Sequence, residues 1–247
     1  MEIEISTAKT ELVPTGRLRV GVVAAPAVST FFVALSADGQ PQGVTVELGR
    51  QIGKALDMEA EFLVFSNSGL LTDAIEAGRV DVGFMPVDEE RKGRIAFGAS
   101  YFLIESTALA HGDSGFASVL DLDKSGVKVA GIENTTTIRS AQRVLRQATV
   151  IPVASVSEAI ALLESRRVDA LVLSRDVLET YNRQIAGSRV LADHLHATGI
   201  AIAVQKGRAA GLAWANRFLE EAKASGAIRR AFDEAGFPTA PIAPLGM

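Results

Sequence analysis

A short pattern of helix end, tight turn and buried strand occurs twice in this chain of 247 residues. Residues 76–82 (EAGRVDV) resemble residues 164–170 (ESRRVDA), and residues 18–22 (LRVGV) are matched loosely by residues 127–131 (VKVAG). A short connection from a helix to a strand needs a flexible or polar turn residue, followed by an apolar strand that packs on both faces. Any α/β chain can repeat such turns by chance, but their ordered recurrence favours two similar α/β lobes.

Strand and helix patterns alternate along the chain, which is typical of an α/β protein with mainly parallel strands. The predicted strands cover residues 18–23, 60–65, 80–85, 101–110, 127–132, 150–153, 170–173 and 199–204. The predicted helices cover residues 46–56, 68–77, 136–145, 155–165 and 175–185, and two further helices, one with Trp214 and one with Ile228, close the chain.

The composition excludes several kinds of functional site. The absence of cysteine removes disulfides, thiolate metal sites, Fe–S clusters and cysteine nucleophiles together. A net charge of −4 and a pI near 5.5 give no support to nucleic-acid binding. His194 and His196 lie close in sequence, but a metal site needs more ligands than two. We therefore expect either an enzyme or a receptor for a small molecule, without metal, other cofactor or nucleic acid.

A run without charged residues extends from Arg19 to Asp38 and has about the length of a membrane span. It could be a signal peptide, with arginines in front and residues 34–37 (ALSA) as a loose cleavage site. Pro26, Ser29 and Thr30 interrupt the run, and its beginning reads well as a buried strand. We therefore predict a strand followed by a loop, and the sequence shows no convincing export signal.

A set of weak motifs, taken in order, resembles a known family. They are residues 16–22 (GRLRVGV), 39–48 (GQPQGVTVEL), 78–82 (GRVDV), 90–92 (ERK), Phe97, Tyr101, 167–170 (RVDA), 199–207 (GIAIAVQKG) and 224–228 (ASGAI). Over roughly residues 16–236 the chain resembles the type 2 periplasmic solute-binding proteins, in particular the family 3 group of ABC transporters for amino acids and similar small polar molecules.

The resemblance implies a fold of two Rossmann-like α/β lobes joined by two crossover strands, with a small ligand clamped between them and closure by a hinge. Lobe 1 would comprise residues 17–108 plus 199–247, and lobe 2 would comprise residues 109–198. The implied protein is a periplasmic monomer that is not an enzyme and whose partner is the permease of an ABC importer. Because no leader is visible in the sequence, a cytoplasmic location stays open.

In lobe 1 the resemblance points first to Arg91, which would pair with the ligand carboxylate through two parallel hydrogen bonds. The alternative is a solvated arginine in a charged run. Asn67 and Ser68 stand where the family often has an aromatic shelf before Ser-Gly, and Pro86 stands where a residue with a free N–H is usual. In the first loop, Ser29 could donate a hydrogen bond and Phe31 could cover an apolar part of the ligand, although core packing is expected for at least one phenylalanine of the loop.

In lobe 2 the resemblance points to Asn134, Thr135 and Thr136, between a strand and a helix. This step would offer backbone N–H groups and hydroxyls to the ligand, or simply cap the helix. The family's glycine is Asn134 here, which puts the loop geometry in doubt. Ser174 occupies the position of an aspartate that holds the ligand ammonium in amino-acid-binding members.

These departures predict a small carboxylate, or a neutral polar derivative of an organic acid, rather than a standard α-amino acid, because a buried ammonium without a counter-charge is costly. One alternative is an enzyme similar to the cyclohexadienyl dehydratases, with Glu133 or Asp176 as the required acid. Another is the ligand-sensing domain of a regulator, for which the sequence shows no attached helix-turn-helix.

Overall fold

The computed structural model describes residues 2–25, 28–238 and 240–247. The strands are β1 (Leu18–Val23), β2 (Ala34–Leu35), β3 (Pro41–Gln42), β4 (Ala60–Phe65), β5 (Val82–Pro86), β6 (Ile95–His111), β7 (Lys128–Ile132), β8 (Thr149–Val153), β9 (Ala170–Ser174), β10 (Ser188–Val190) and β11 (His196–Gln205). The α-helices are α1 (Glu2–Leu12), α2 (Val44–Ala55), α3 (Ser68–Glu76), α4 (Glu89–Lys92), α5 (Thr136–Val144), α6 (Val156–Glu164), α7 (Arg175–Asn182), α8 (Ala209–Ala224) and α9 (Ala227–Glu234).

The chain forms two compact units. Unit 1 comprises Met1–Leu103 and Gly199–Met247, and unit 2 comprises Ile104–Thr198. The chain therefore leaves unit 1 within β6 and returns to it within β11. Each unit contains paired strands with helices packed on them, so the repeated sequence pattern corresponds to a repeated structure.

In unit 1 the sheet has the order β4-β1-β5-β11. β1 pairs in parallel with β4 and β5, and β11 runs antiparallel to β5. β1 is buried along nearly its whole length because it lies between two strands under the helices. Gly49 on α2 allows this close packing, since a Cβ there would lie 2.8 Å from the Phe62 ring and 2.9 Å from the Val20 side chain.

In unit 2 the sheet has the order β6-β9-β7-β8. β7 pairs in parallel with β8 and β9, and β9 runs antiparallel to β6. The small strand β10 pairs with the end of β6. The core includes alanine, valine and leucine side chains from these strands and from α5, among them Ala108, Val129, Ala141 and Val172.

The repeated sequence pattern forms the same turn in both units. Gly78 has φ 68° and Arg166 has φ 55°, so both occupy the left-handed region. The following N–H groups then turn back to the preceding helix, to the carbonyl of Ala74 in unit 1 and of Leu162 in unit 2. Glycine is the residue suited to this conformation, which is why the second copy, with arginine, is harder to recognise.

The aspartate of each copy fastens the strand that follows it to a neighbouring parallel strand, which is β1 in unit 1 and β7 in unit 2. In unit 1 the Asp81 carboxylate accepts the Arg19 N–H at 3.0 Å, and the Asp81 N–H donates to the Arg19 carbonyl at 2.9 Å. In unit 2 the Asp169 carboxylate accepts the Lys128 N–H at 2.7 Å, and the Asp169 N–H donates to the Lys128 carbonyl at 2.8 Å. The aspartate of the RVD pattern therefore helps to fix the register between the two strands.

The two aspartates differ in their electrostatic surroundings. Asp81 is fully buried and also accepts from the guanidinium of Arg19, at 2.7 and 2.9 Å, and from that of Arg208, at 2.8 Å. The hydrogen bonding of the Arg19 guanidinium to the Asp81 carboxylate raises the pKa of Arg19. Because Arg208 immediately precedes α8, the same carboxylate also holds the start of that helix against the sheet.

Two terminal segments add to unit 1. Helix α1, which the sequence did not predict, packs on α8 through the buried Ala8 and Leu12, and the Glu11 carboxylate accepts the N–H of Gly211 at 2.7 Å. At the other end, Ile242 bridges to Phe102 and the Met247 carbonyl accepts the Ser100 N–H at 2.8 Å. The C-terminal residues Ile242 and Met247 thus hydrogen-bond to β6.

The uncharged run from Arg19 to Asp38 begins as β1, as predicted, and its later described residues form loop and the short strand β2, which the sequence did not predict. Pro26, which interrupts the run, lies outside the described residues. In the part of the chain that the structure describes, no helix is long and apolar enough to cross a membrane.

We expect Asp81→Asn to lower the free energy of unfolding by about 3 kcal/mol, because it leaves two arginines facing a neutral buried side chain. Asp169→Asn, at the half-exposed equivalent position, should cost about 1 kcal/mol, the usual loss for one weakened hydrogen bond. Urea unfolding of both variants, followed by circular dichroism, measures the difference. Equal losses would contradict the special role assigned to the two arginines.

Candidate functional site

Arg91 differs from the charged residues around it because its side chain is buried. Only 3% of Arg91 is exposed, whereas Glu89, Glu90 and Lys92 are exposed. The Asp88 carboxylate caps the one-turn helix α4 by accepting the Arg91 N–H at 3.1 Å. Arg91 is therefore not part of the solvated charged run, and the cap explains how a short turn can hold a buried guanidinium.

Pro86 contributes through its carbonyl rather than through an N–H. It ends β5, is buried, and pairs with Ile200 on β11. Its carbonyl accepts a long hydrogen bond, 3.3 Å, from Nη1 of Arg91. The proline thus removes one donor from this strand end and supplies an acceptor that orients the Arg91 guanidinium.

Asn67 and Ser68 begin α3 and are both about 3% exposed. The Asn67 side chain caps the helix by accepting the Leu70 N–H at 2.9 Å. The Thr72 hydroxyl donates to the Ser68 carbonyl at 2.8 Å and lies 3.6 Å from the Met85 sulfur. Thr72 therefore places the start of α3 beside the end of β5, a link that sequence reasoning missed because it joins two separate elements.

Ser29 and Phe31 form a closed turn within unit 1. The Ser29 hydroxyl oxygen accepts the N–H groups of Phe31 and Phe32, at 3.1 and 2.8 Å. Both phenylalanines are buried, with ring centroids 4.9 Å apart. The expectation that at least one of them belongs to the core is confirmed. The structure gives Ser29 a local role in the turn, and no described contact joins it to Arg91.

In unit 2, Asn134 adopts φ 58°, the left-handed conformation that a glycine would take at this step. Asparagine tolerates this region better than most residues, so the loop geometry is kept. Thr135 caps α5, since its hydroxyl accepts the Ile138 N–H at 3.2 Å and donates to the Ile132 carbonyl at 2.7 Å. Thr135 and Thr136 are buried, whereas Asn134 is exposed.

Ser174 ends β9 and precedes α7, and it is 4% exposed. Its hydroxyl oxygen is buried without a hydrogen-bond partner. Directly opposite Ser174 on β6 lies Ser106, whose hydroxyl is 2.9 Å from that of Thr137. Ser106 and Thr137 were missed at the sequence level. Only the register of β6 against β9 brings them to the predicted residue.

In unit 2 the charged side chains of Arg175 and Glu105 pair with each other. The Arg175 guanidinium donates to the Glu105 carboxylate at 3.0 Å and to three carbonyls of residues 191–193. Glu133 is partly buried, and its N–H donates to the Val153 carbonyl at 2.8 Å. On α7, burial raises the pKa of Tyr181. Across the described ranges, His, Asp and Glu side chains form no group that could hold a metal ion.

Residues 18–235 match the family described as bacterial extracellular solute-binding proteins, family 3. The chain belongs to that family. A curated relative is the glutamine-binding protein of Geobacillus stearothermophilus, 26% identical over 157 residues, which are 62% of this chain and 60% of that protein. The alignment thus covers less than two thirds of that relative's own length.

Solved structures of the same fold are similar over nearly the whole chain. An ancestral arginine-binding protein bound to arginine is 28% identical, with 89% of this chain and 97% of that chain covered and a TM-score of 0.80. An ancestral amino acid-binding protein, a precursor of cyclohexadienyl dehydratase, is 27% identical, with 91% and 97% covered and a TM-score of 0.79. The solute receptor for L-cysteine of Neisseria gonorrhoeae, at 21% identity, 96% and 99% coverage and a TM-score of 0.84, shows the fold alone. The fold class is that of the type 2 periplasmic binding proteins, as predicted.

We expect Thr135→Ala to lower the free energy of unfolding by about 1 kcal/mol, because it removes the N-cap of α5. Thr135→Ser keeps the hydroxyl and should retain most of this stability. Urea unfolding monitored by circular dichroism gives both values. If serine and alanine cost the same, the cap does not stabilise α5 in the way described.

Proposed function

We propose that the chain is the solute receptor of an ABC importer, which binds a small organic carboxylate and presents it to a permease in the membrane. The buried guanidinium of Arg91 carries this proposal. A charged side chain that is 3% exposed is kept where acceptors face it, and a carboxylate matches two of its N–H groups. Family membership supports the receptor role.

The relatives with named ligands support the proposal that the ligand carries a carboxylate group. The glutamine-binding protein and the arginine-bound ancestral protein bind amino acids with different side chains. The carboxylate is a group that these ligands share, and we assign it to Arg91 in this chain. Pro86 would position the guanidinium through its carbonyl, while Asn67 and Ser68 would supply a capped helix start that Thr72 links to the end of β5.

For the rest of the ligand we propose a compound similar to an amino acid but without the free ammonium. Ser174 is neutral, and so are Thr135 and Thr136. Burying an ammonium beside neutral hydroxyls is costly because no counter-charge offsets its lost hydration. The named relatives bind amino acids, so the choice between the two ligand classes needs a direct comparison.

We further propose that the two units, Met1–Leu103 with Gly199–Met247 and Ile104–Thr198, act as two lobes that close on the ligand by hinge motion. The receptor would work as a periplasmic monomer. We propose no turnover of the ligand, because the relatives described above are named as binding proteins. The acids considered for a dehydratase, Glu133 and Asp176, therefore have no assigned catalytic role.

Isothermal titration calorimetry with a panel of amino acids and non-amino carboxylates tests the proposed function. We expect Arg91→Gln to weaken binding of whichever carboxylate binds by about 100-fold, since a lost charged hydrogen-bonding partner costs about 2–5 kcal/mol. Arg94→Gln removes the same charge three residues away, where Arg94 pairs with the exposed Asp73 and Glu76. This control should keep the affinity within about twofold.

Circular dichroism of Arg91→Gln must first show a native spectrum. Arg91→Lys keeps the positive charge but not the planar guanidinium, and it should bind the carboxylate with intermediate affinity. Unchanged affinity of Arg91→Gln for the bound carboxylate would overturn the assignment of Arg91. Failure of the whole panel to bind would overturn the carboxylate receptor.

A further inference from the structure

Along one face of β6 and β9, the side chains change from apolar to hydroxyl-bearing between one pair of residues and the next. Partners directly opposite each other on two strands project from the same face, and every second pair shares that face. On β6 and β9 this face carries, in order, the pairs Ala110 and Ala170, Ala108 and Val172, and Ser106 and Ser174. The first two pairs belong to the core, whereas the last pair, at the end of β9, is polar.

Helix α5, which packs on this core, shows the same change at its own end. Leu145 and Ala141 are core residues spaced by four, and Thr137 continues the row towards the start of the helix. The hydroxyls of Thr137 and Ser106 are 2.9 Å apart. Strand and helix therefore bring Ser106, Thr137 and Ser174 to one end of unit 2, and we call these three residues the hydroxyl cluster.

Ser174 differs from the other serine, threonine, asparagine and aspartate N-cap residues in the described part of the chain. Thr135, Ser155 and Asn67 each accept an N–H from the helix that they begin. Ser174 makes no such bond with α7, and its buried hydroxyl has no partner. An unmet hydrogen bond in a buried site lowers stability. A function at this position would explain why the sequence keeps a serine there rather than an alanine.

The hydroxyl cluster offers donors. The three hydroxyls carry three protons, and one of them makes the hydrogen bond between Ser106 and Thr137. The second proton of that pair and the proton of Ser174 remain available to a ligand. The start of α7 adds backbone N–H groups that the Ser174 side chain does not cap. A ligand oxygen can accept from hydroxyl and backbone donors of this kind. An ammonium would have to donate to neutral hydroxyl oxygens, and these three residues carry no negative charge to offset its own.

We propose that the hydroxyl cluster binds an oxygen on the carbon next to the ligand carboxylate, so that the ligands are 2-hydroxy or 2-oxo acids rather than 2-amino acids. This inference rests on the proposed function, in which Arg91 holds the carboxylate. Ser174 and the start of α7 donate to the 2-oxygen, and Ser106 with Thr137 supports it from β6 and α5.

The experiment compares matched acids that differ only at the second carbon. Glutamate is compared with 2-hydroxyglutarate and 2-oxoglutarate, and phenylalanine with phenyllactate and phenylpyruvate, by calorimetry on the full chain. We expect the oxygen acid of at least one set to bind about tenfold or more tightly than its amino counterpart. Ser174→Ala should reduce this preference, and Ser174→Asp should shift it towards the amino acid by supplying a counter-charge.

Two further variants make the comparison specific. Ser155→Ala removes another N-cap serine of unit 2, outside the cluster, and should leave the preference unchanged. Asp176→Asn should also leave it unchanged, because we assign no ligand contact to that carboxylate. If Ser174→Asp does not fold, two results still test the inference. They are the preference of the unmodified protein for oxygen acids over amino acids and the effect of Ser174→Ala on that preference.

Tighter binding of the amino acid in every set that binds, sensitive to Arg91→Gln, would overturn the inference while leaving the carboxylate receptor intact. Loss of amino-acid binding in Asp176→Asn would overturn it as well, since that carboxylate would then hold an ammonium. Absence of binding by any of these acids, or binding indifferent to Arg91→Gln, would overturn both the inference and the proposed function.

Discussion

In each unit the register of two neighbouring strands depends on one carboxylate that follows a tight turn. Asp81 and Asp169 each exchange two hydrogen bonds with the backbone at the start of a parallel strand, β1 for Asp81 and β7 for Asp169. Since the side-chain period of a strand is two, a slip by one residue would turn buried side chains to the opposite face. In unit 1 the device is stronger, because Arg19 and Arg208 neutralise the buried Asp81 and tie α8 to the same point.

Fixed register also decides where the polar residues go. Parallel strands end at one edge of a sheet, and ligands of open α/β sheets bind at the carboxyl ends of strands. In unit 1, β5 ends at Pro86, next to the capped turn of Arg91. In unit 2, β9 ends at Ser174, and β7 ends just before the Asn134 turn and α5. The candidate ligand groups are therefore consequences of strand ends that the two aspartates hold in place.

Periodicity and turn residues were sufficient to predict most elements, including β1, β4 and α3, because each is a local pattern with a clear boundary. Helix α1 was missed because it shows little amphipathic patterning and is stabilised by its contact with α8. The burial of Arg91 could not be predicted either, because its neighbours are charged and its cap depends on the turn at Asp88. Ser106 belongs to the candidate site only because β6 pairs with β9, a strand that lies some seventy positions later in the chain.

The contrast between Asp81 and Ser174 gives a physical reason for the serine. This chain buries a carboxylate at position 81 only with two guanidinium groups in contact with it. At position 174 the adjacent cation, Arg175, is already engaged by Glu105 and by the carbonyls of residues 191–193. An aspartate there would depend on the ligand for its counter-charge and would be costly in the empty protein. A serine avoids this cost, which agrees with the proposal that this position recognises an oxygen substituent of the ligand by hydrogen bonding rather than an ammonium by charge.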